Sequence, residues 1–216
     1  MIREFGINEF WAILAGMQAT LMLSGVAFIG GGIGGLWIAL ARTAPFRFAR
    51  GIAGAFIDFF QGTPMLMQLF LVFYGLPVLG IQVNVWVAAA LGLTLHASAF
   101  LGEIWRGGIQ AVPGGQTEAA NALGLGYFAR MRYVVLPQAI RLSFAPTVGF
   151  LVQLIKGTSL AAIIGFVELS RTAQMASSVT YKPLLAYGLA GCCYFAICFP
   201  LSRYSAHIEK RFALKT

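Results

Sequence analysis

Glu118-Ala119-Ala120-Asn121-Ala122-Leu123-Gly124-Leu125-Gly126-Tyr127-Phe128-Ala129-Arg130-Met131-Arg132-Tyr133-Val134-Val135-Leu136-Pro137 is polar, basic and able to form helix, and it lies between long apolar segments. With its flanks it makes a connection of roughly 30 residues, where connections usually run to about 4–6. A chain that merely sat in lipid has little use for such a loop, so the stretch reads as a docking surface. Thr117 is the expected N-cap, and Glu118 in the first turn suits the helix dipole. The spacing predicts a short helix over 118–123 that closes at Gly124, a good left-handed terminator. A second amphipathic piece over 127–135 carries Arg130 and Arg132, and Pro137 opens the next apolar segment.

Outward from this loop the chain is almost free of charge. Of 216 residues, 59% are hydrophobic and 10% charged, against about 25% charged in a soluble domain. The shortage spans nearly the whole length, so the expected class is an all-α integral membrane protein rather than a soluble domain with an anchor. The net charge of +8 does not mark a nucleic-acid binder, because the bases cluster between apolar runs instead of covering one face with aromatic or polar readers. Cys192, Cys193 and Cys198 share the last apolar run without CxxC or Cys/His spacing, so they read as packing residues, not as a metal site or disulfide framework. Arg3 is followed at once by Glu4 and no small-residue cleavage site follows, so the first span itself is expected to direct insertion.

Five spans are expected, at about 18–40, 52–76, 85–105, 138–169 and 184–201, with a cytoplasmic loop at 106–137, all in a single transmembrane domain over 1–216. A separate interfacial piece over 10–16 places Trp11 at headgroup level. Gly30/Gly34 and Gly31/Gly35 have the small-xxx-small spacing of close helix packing. The second span is interrupted by Gln61-Gly62-Thr63-Pro64. Freed carbonyls at that depth must face protein or water, which points to a transport pathway. Lys156, in the fourth span, is costly in lipid unless it snorkels, pairs or faces water, so it and the neighbouring Thr158 and Ser159 are pathway candidates. His96 and Glu103 share a helix face in the third span, a polar contact rather than a proton relay. Eleven of the 15 Lys/Arg fall in 42–50, 106–141 and 203–215. The positive-inside rule then makes those segments cytoplasmic, with the N-terminus out and the C-terminus in.

No HExxH or GxSxG occurs, and Asp58, Glu103 and Glu168 lie on separate segments, so an intramembrane enzyme is not expected. A secondary transporter or channel that works without ATP is the alternative, weakened by five spans with no internal repeat.

Glu118-Ala119-Ala120, then Gly124, Val134 and Leu136-Pro137, resemble the EAA signature of permease subunits of bacterial ATP-binding-cassette importers. Gln61-Gly62-Thr63-Pro64-Met65, Glu103-Ile104-Trp105-Arg106-Gly107-Gly108-Ile109, Leu136-Pro137-Gln138-Ala139-Ile140-Arg141 and Lys156-Gly157-Thr158-Ser159-Leu160 are similar to the branch that carries polar amino acids. The resemblance implies a type I importer permease in the bacterial inner membrane that moves a polar amino acid by alternating access. It implies a second permease subunit, of the same or another chain, an ATPase dimer below and an extracytoplasmic binding protein that delivers the amino acid. ATP-Mg would belong to the ATPase, with no cofactor or metal in this chain; no G-x-x-x-x-G-K-[ST] is present. Glu118, Ala119, Ala120, Gly124, Leu136 and Pro137 would form the ATPase-coupling element. Gln61, Gly62, Thr63, Pro64, Lys156, Thr158 and Ser159 would line the substrate pathway. Gln61 stands where many relatives carry Arg, Gly157 where many carry Asp, and Gly126 where a Ser-type cap is frequent. Two charged anchors of the family are therefore missing.

Overall fold

Glycines set how the first helix meets the third span. The structure, a computed structural model, describes residues 4–212; Arg3 and Lys215 of the charge argument lie outside them, as does the side chain of Arg211. Helix α1 (Ile7–Thr43) lays Gly30, Gly31, Gly34 and Gly35 against α4 (Val85–Gln110). A Cβ at Gly35 would lie 2.9 Å from the backbone nitrogen of Gly102, and one at Gly31 would overlap Ala97. Removing the side chains lets two backbones touch, which is how helices associate in lipid. Contacts rise together along both helices, from Gly30 with Thr94 to Gly35 with Gly102, so α1 and α4 run parallel.

Parallel neighbours require the chain between them to cross back. Helices α2 (Arg47–Gly62) and α3 (Met65–Val78) do this as one broken crossing, bent by 109° at the elbow Gly62-Thr63-Pro64. After α4 comes the short α5 (Gly114–Ala122), then α6 (Tyr127–Ala162), antiparallel to α4: Trp105 meets Thr147 while Phe100 stacks on Phe150. Helix α7 (Leu169–Thr180) packs on α1 and on α8 (Pro183–Phe212). Ser205 of α8 donates to the Ala145 carbonyl of α6 at 2.8 Å. Among the described residues four helices are long and apolar enough to cross a membrane, and the count is five when the bent pair is taken as one span.

Several boundaries differ from expectation. No separate piece exists at 10–16: α1 is continuous over 37 residues, about 55 Å, so it overshoots a hydrocarbon core of about 30 Å. The fourth crossing stops at Ala162, and left-handed Gly165 (φ 93°) turns the chain into α7, so the polar 170–183 segment is largely helix. Helix α5 starts at Gly114 behind Pro113. Thr117 is therefore inside the helix rather than its cap, and Glu118 lies beyond the first turn. Pro137 does not start a new helix either. It sits in α6 just after a π-helical turn, Met131–Val135. Leu76-Pro77 follows a matching π turn, Leu71–Gly75, in α3. A proline ring collides with the carbonyl four residues back, here Tyr133 and Phe73, both inside those turns. Widening the helix at that point removes the collision without ending the rod.

Candidate functional site

The loop element is built to be stiff. Helix α5 ends in a Schellman motif: Gly124 (φ 74°) donates to the Asn121 carbonyl at 2.9 Å and Leu125 to the Ala120 carbonyl at 3.0 Å. Gly124 supplies the left-handed residue that this ending needs. Ala120 is buried and α5 packs on the Met131–Val135 turn, so a small residue there brings the helix down onto α6. Glu118 and Ala119 are exposed, Leu136 is half-buried and Pro137 exposed. The Arg130 guanidinium donates to Asn121 Oδ1 and lies over the Tyr127 ring, bracing the two halves of the loop. Gln138 adds a bond to the Val134 carbonyl at 2.8 Å. Leu123 (80% exposed) and Phe128 (86%) project from the loop. Sequence reading passed over these two side chains, whose signal was a large apolar residue in an otherwise polar connection. Together the loop offers one carboxylate, a flat Ala-rich face and an apolar tip for a partner to grip.

The elbow between α2 and α3 is held from inside. Its bend leaves carbonyls with no helical partner. Gln68 Nε2 donates to the Phe60 carbonyl at 2.8 Å, the Thr63 carbonyl at 3.0 Å and Thr63 Oγ1 at 3.0 Å. His96 Nδ1 donates to Gln68 Oε1 at 2.9 Å, a tautomer set by the amide carbonyl it faces, and the imidazole stacks on Phe100. Neither role was legible as a motif, because the partners come from helices 28 positions apart. His96 and Glu103 do not meet: Glu103 pairs with Arg106.

The two sets of expected pathway residues come together at this elbow. A Cβ at Gly157 would lie 2.9 Å from Met65 Cε, so the start of α3 rests on the 156–159 turn. Gln61, Gly62, Pro64 and Lys156 are exposed, and Thr63 and Ser159 half-buried. Thr158 is fully buried and its hydroxyl donates to the Ile155 carbonyl at 2.7 Å; Ser159 donates to the Lys156 carbonyl at 2.8 Å. Their hydroxyls close the end of α6 rather than point outward. Fully buried Glu168, the N-cap of α7, accepts from the Arg171 amide at 2.8 Å and the Tyr194 hydroxyl at 2.9 Å, and so ties α7 to α8. A cavity of about 620 Å³ between α1, α4 and α6 is lined by Leu36, Leu40, Trp105, Ile140 and Phe144 and is too apolar to hold a charged solute. No group of three or more His, Cys, Asp or Glu suited to a metal ion occurs among the described residues.

Comparison with known proteins agrees with this geometry. Residues 31–214 match the family described as the inner membrane component of binding-protein-dependent transport systems. The L-cystine transport system permease protein TcyB of Bacillus subtilis is 37% identical over 206 residues, covering 94% of this chain and 88% of that one. A crystal structure of an amino acid ABC transporter with histidines aligns with TM-score 0.89 and 33% identity, over 95% of this chain and 96% of the other. The inward-facing MetNI methionine transporter aligns with TM-score 0.76 at 20% identity, over 94% and 99% of the two chains, and shares the fold.

Proposed function

The chain belongs to the family of inner membrane components of binding-protein-dependent transport systems, and from that premise we propose how it works as the permease subunit of an ATP-driven importer for a polar amino acid. It is a multi-pass bacterial inner-membrane protein and not the ATPase component. The observation that carries the mechanism is α6, one helix over Tyr127–Ala162. It is about 54 Å long. It leaves the stiff docking loop at one end and supports the elbow at the other. Force applied to Glu118, Ala119 and Ala120 passes through the Schellman turn and the Arg130 brace into this rod, and Leu136-Pro137 sits where the rod is widened.

Two cytoplasmic ATPase subunits, which bind ATP-Mg, would grip the loops of this chain and of a second permease. Their closure draws the loops together and rocks the bundle, exposing the elbow outward to a binding protein that delivers the amino acid. Substrate biases this equilibrium only through its different affinity for the two states. The elbow residues Gln61, Gly62, Thr63 and Pro64, with Lys156 and Ser159, form the wall that substrate passes, and buried Thr158 closes the end of α6 behind it. The clustering of Lys and Arg in 42–50, 106–141 and 203–215 supports a cytoplasmic loop end, with the N-terminus out and the C-terminus in. Glu118→Lys and Gly124→Val test the coupling role. The second puts a β-branched residue at φ 74°, a strain of about 1–2 kcal/mol. Both are expected to lower uptake per ATP hydrolysed at least tenfold in reconstituted complexes. Uptake per ATP equal to the parent in both would overturn the assignment.

A further inference from the structure

A groove that no charged solute would enter lies between α1, α4 and α6. Its lining runs from Phe28 to Leu40 on α1 and from Thr147 to Leu136 on α6, with Trp105 and Ile109 of α4 between them. At the rise of a helix, the α1 side is about 18 Å long. That is close to half of a hydrocarbon core of about 30 Å, so the groove is about as long as one leaflet is deep. The polar groups of its lining are turned on one another. Trp105 Nε1 donates to Thr147 Oγ1 at 3.0 Å, and Thr147 Oγ1 donates to the Ser143 carbonyl at 2.7 Å. Gly32 keeps the space open: a Cβ there would lie 3.7 Å from Trp105 Cη2. Ile33 and Ile140, on the two lips, are 62% and 63% exposed, so the groove opens sideways, where the crossings meet lipid.

One end of the groove is basic. On α1 the lining stops at Leu40, and 42–50 carries Arg42, Arg47 and Arg50 with no acid. On α6 it stops at Leu136, and 127–141 carries Arg130, Arg132 and Arg141 with no acid. Arg132 stands four residues before Leu136, exposed, with its guanidinium 5.9 Å from the centre of the Tyr133 ring. It forms no hydrogen bond or ion pair among the described residues. Trp37 and Tyr133 are exposed at this end, and such rings settle at headgroup level. We infer that the groove is a binding site for an anionic phospholipid. One acyl chain lies in the groove against Trp105, and the phosphate sits at the basic mouth on Arg132, with Arg42 and Arg47 adding to the attraction. Basic pockets between crossings hold anionic headgroups in this way. An apolar helix of a neighbouring subunit would satisfy the groove but not the arginines at its mouth; an anionic phospholipid satisfies both.

The test is photolabelling of the permease–ATPase complex in phosphatidylcholine nanodiscs that hold a trace of phosphatidylglycerol or phosphatidylcholine with the same diazirine-bearing acyl chain. Labelled residues are mapped by peptide mass spectrometry, and assembly of each variant is checked by subunit stoichiometry. Phosphatidylglycerol is expected to label Ile140 and Phe144 at least fivefold more than phosphatidylcholine does. At Met22 and Val26, exposed on α1 beyond the deep end of the groove, the two lipids are expected to label equally. Gly32→Leu fills the groove, and leucine suits a helix better than glycine. It is expected to lower phosphatidylglycerol labelling of Ile140 and Phe144 at least fivefold while labelling at Met22 holds. Arg132→Gln is expected to bring phosphatidylglycerol labelling in the groove down to the phosphatidylcholine level. Equal labelling of the groove by the two lipids in the parent overturns the inference, as does parent-like labelling by phosphatidylglycerol in either variant. Label at Met22 with none in the groove also overturns it and assigns the groove to a contact with the second permease.

Discussion

Gln68 holds the elbow with a single amide, and that makes it the residue most exposed to substitution. Replacing it with Leu keeps the volume but strips the Phe60 and Thr63 carbonyls and the His96 N–H of their partner. Each buried polar group left unpaired costs about 1–3 kcal/mol. Gln68→Leu is therefore expected to lower the melting temperature of the detergent-solubilised subunit by several degrees, read by differential scanning fluorimetry; an unchanged melting curve would show that the bend does not depend on this bond. The glycine seam makes a second prediction. Gly31→Val pushes a branched side chain into Ala97, and overpacking of this kind costs about 1–3 kcal/mol. Gly25 has open space beside it, so Gly25→Val is the control that is expected to leave the melting temperature nearly unchanged. Gly31/Gly35 spacing was readable in advance, because close packing in lipid needs small residues at that interval. Gln68 was not readable, because its partners lie on the elbow and on another helix.

At the scale of elements, the two π turns recur in the same setting: five residues, then Leu-Pro, in α3 and again in α6. The second lies between the docking loop and the rest of the rod. Pro137→Ala restores a backbone donor and removes the ring collision, so the helix is free to relax to ordinary α geometry and rotate the loop relative to the elbow. Uptake per ATP is expected to fall several-fold while the complex still assembles; transport at parental efficiency would mean the widened turn has no mechanical role. Leu136-Pro137 was legible as part of a motif. The π turn before it was not, because proline in a sequence announces a break and does not say whether the helix stops or widens. The same ambiguity explains the misplaced start of α5: Thr117 looked like a cap, yet Pro113 with fixed φ had already begun the helix four residues earlier.

For the whole molecule, hydropathy carried most of the architecture. Long uncharged runs mark crossings irrespective of tertiary contacts, so the four continuous ones were accessible from the chain alone. The elbow was visible through Gly62-Thr63-Pro64, but its 109° angle was not, since it depends on α4 bracing α3 from the side. The two candidate surfaces were each visible as motifs; that a single rod, α6, joins them emerges only in three dimensions. The most direct measurement is amino acid uptake into proteoliposomes that hold this chain with its ATPase and any second permease, with binding protein added outside and ATP enclosed. Uptake that requires every component and ATP, and that is lost when the loop is altered at Glu118, is the predicted result. Uptake by this chain alone, driven by a gradient and indifferent to ATP, would contradict it.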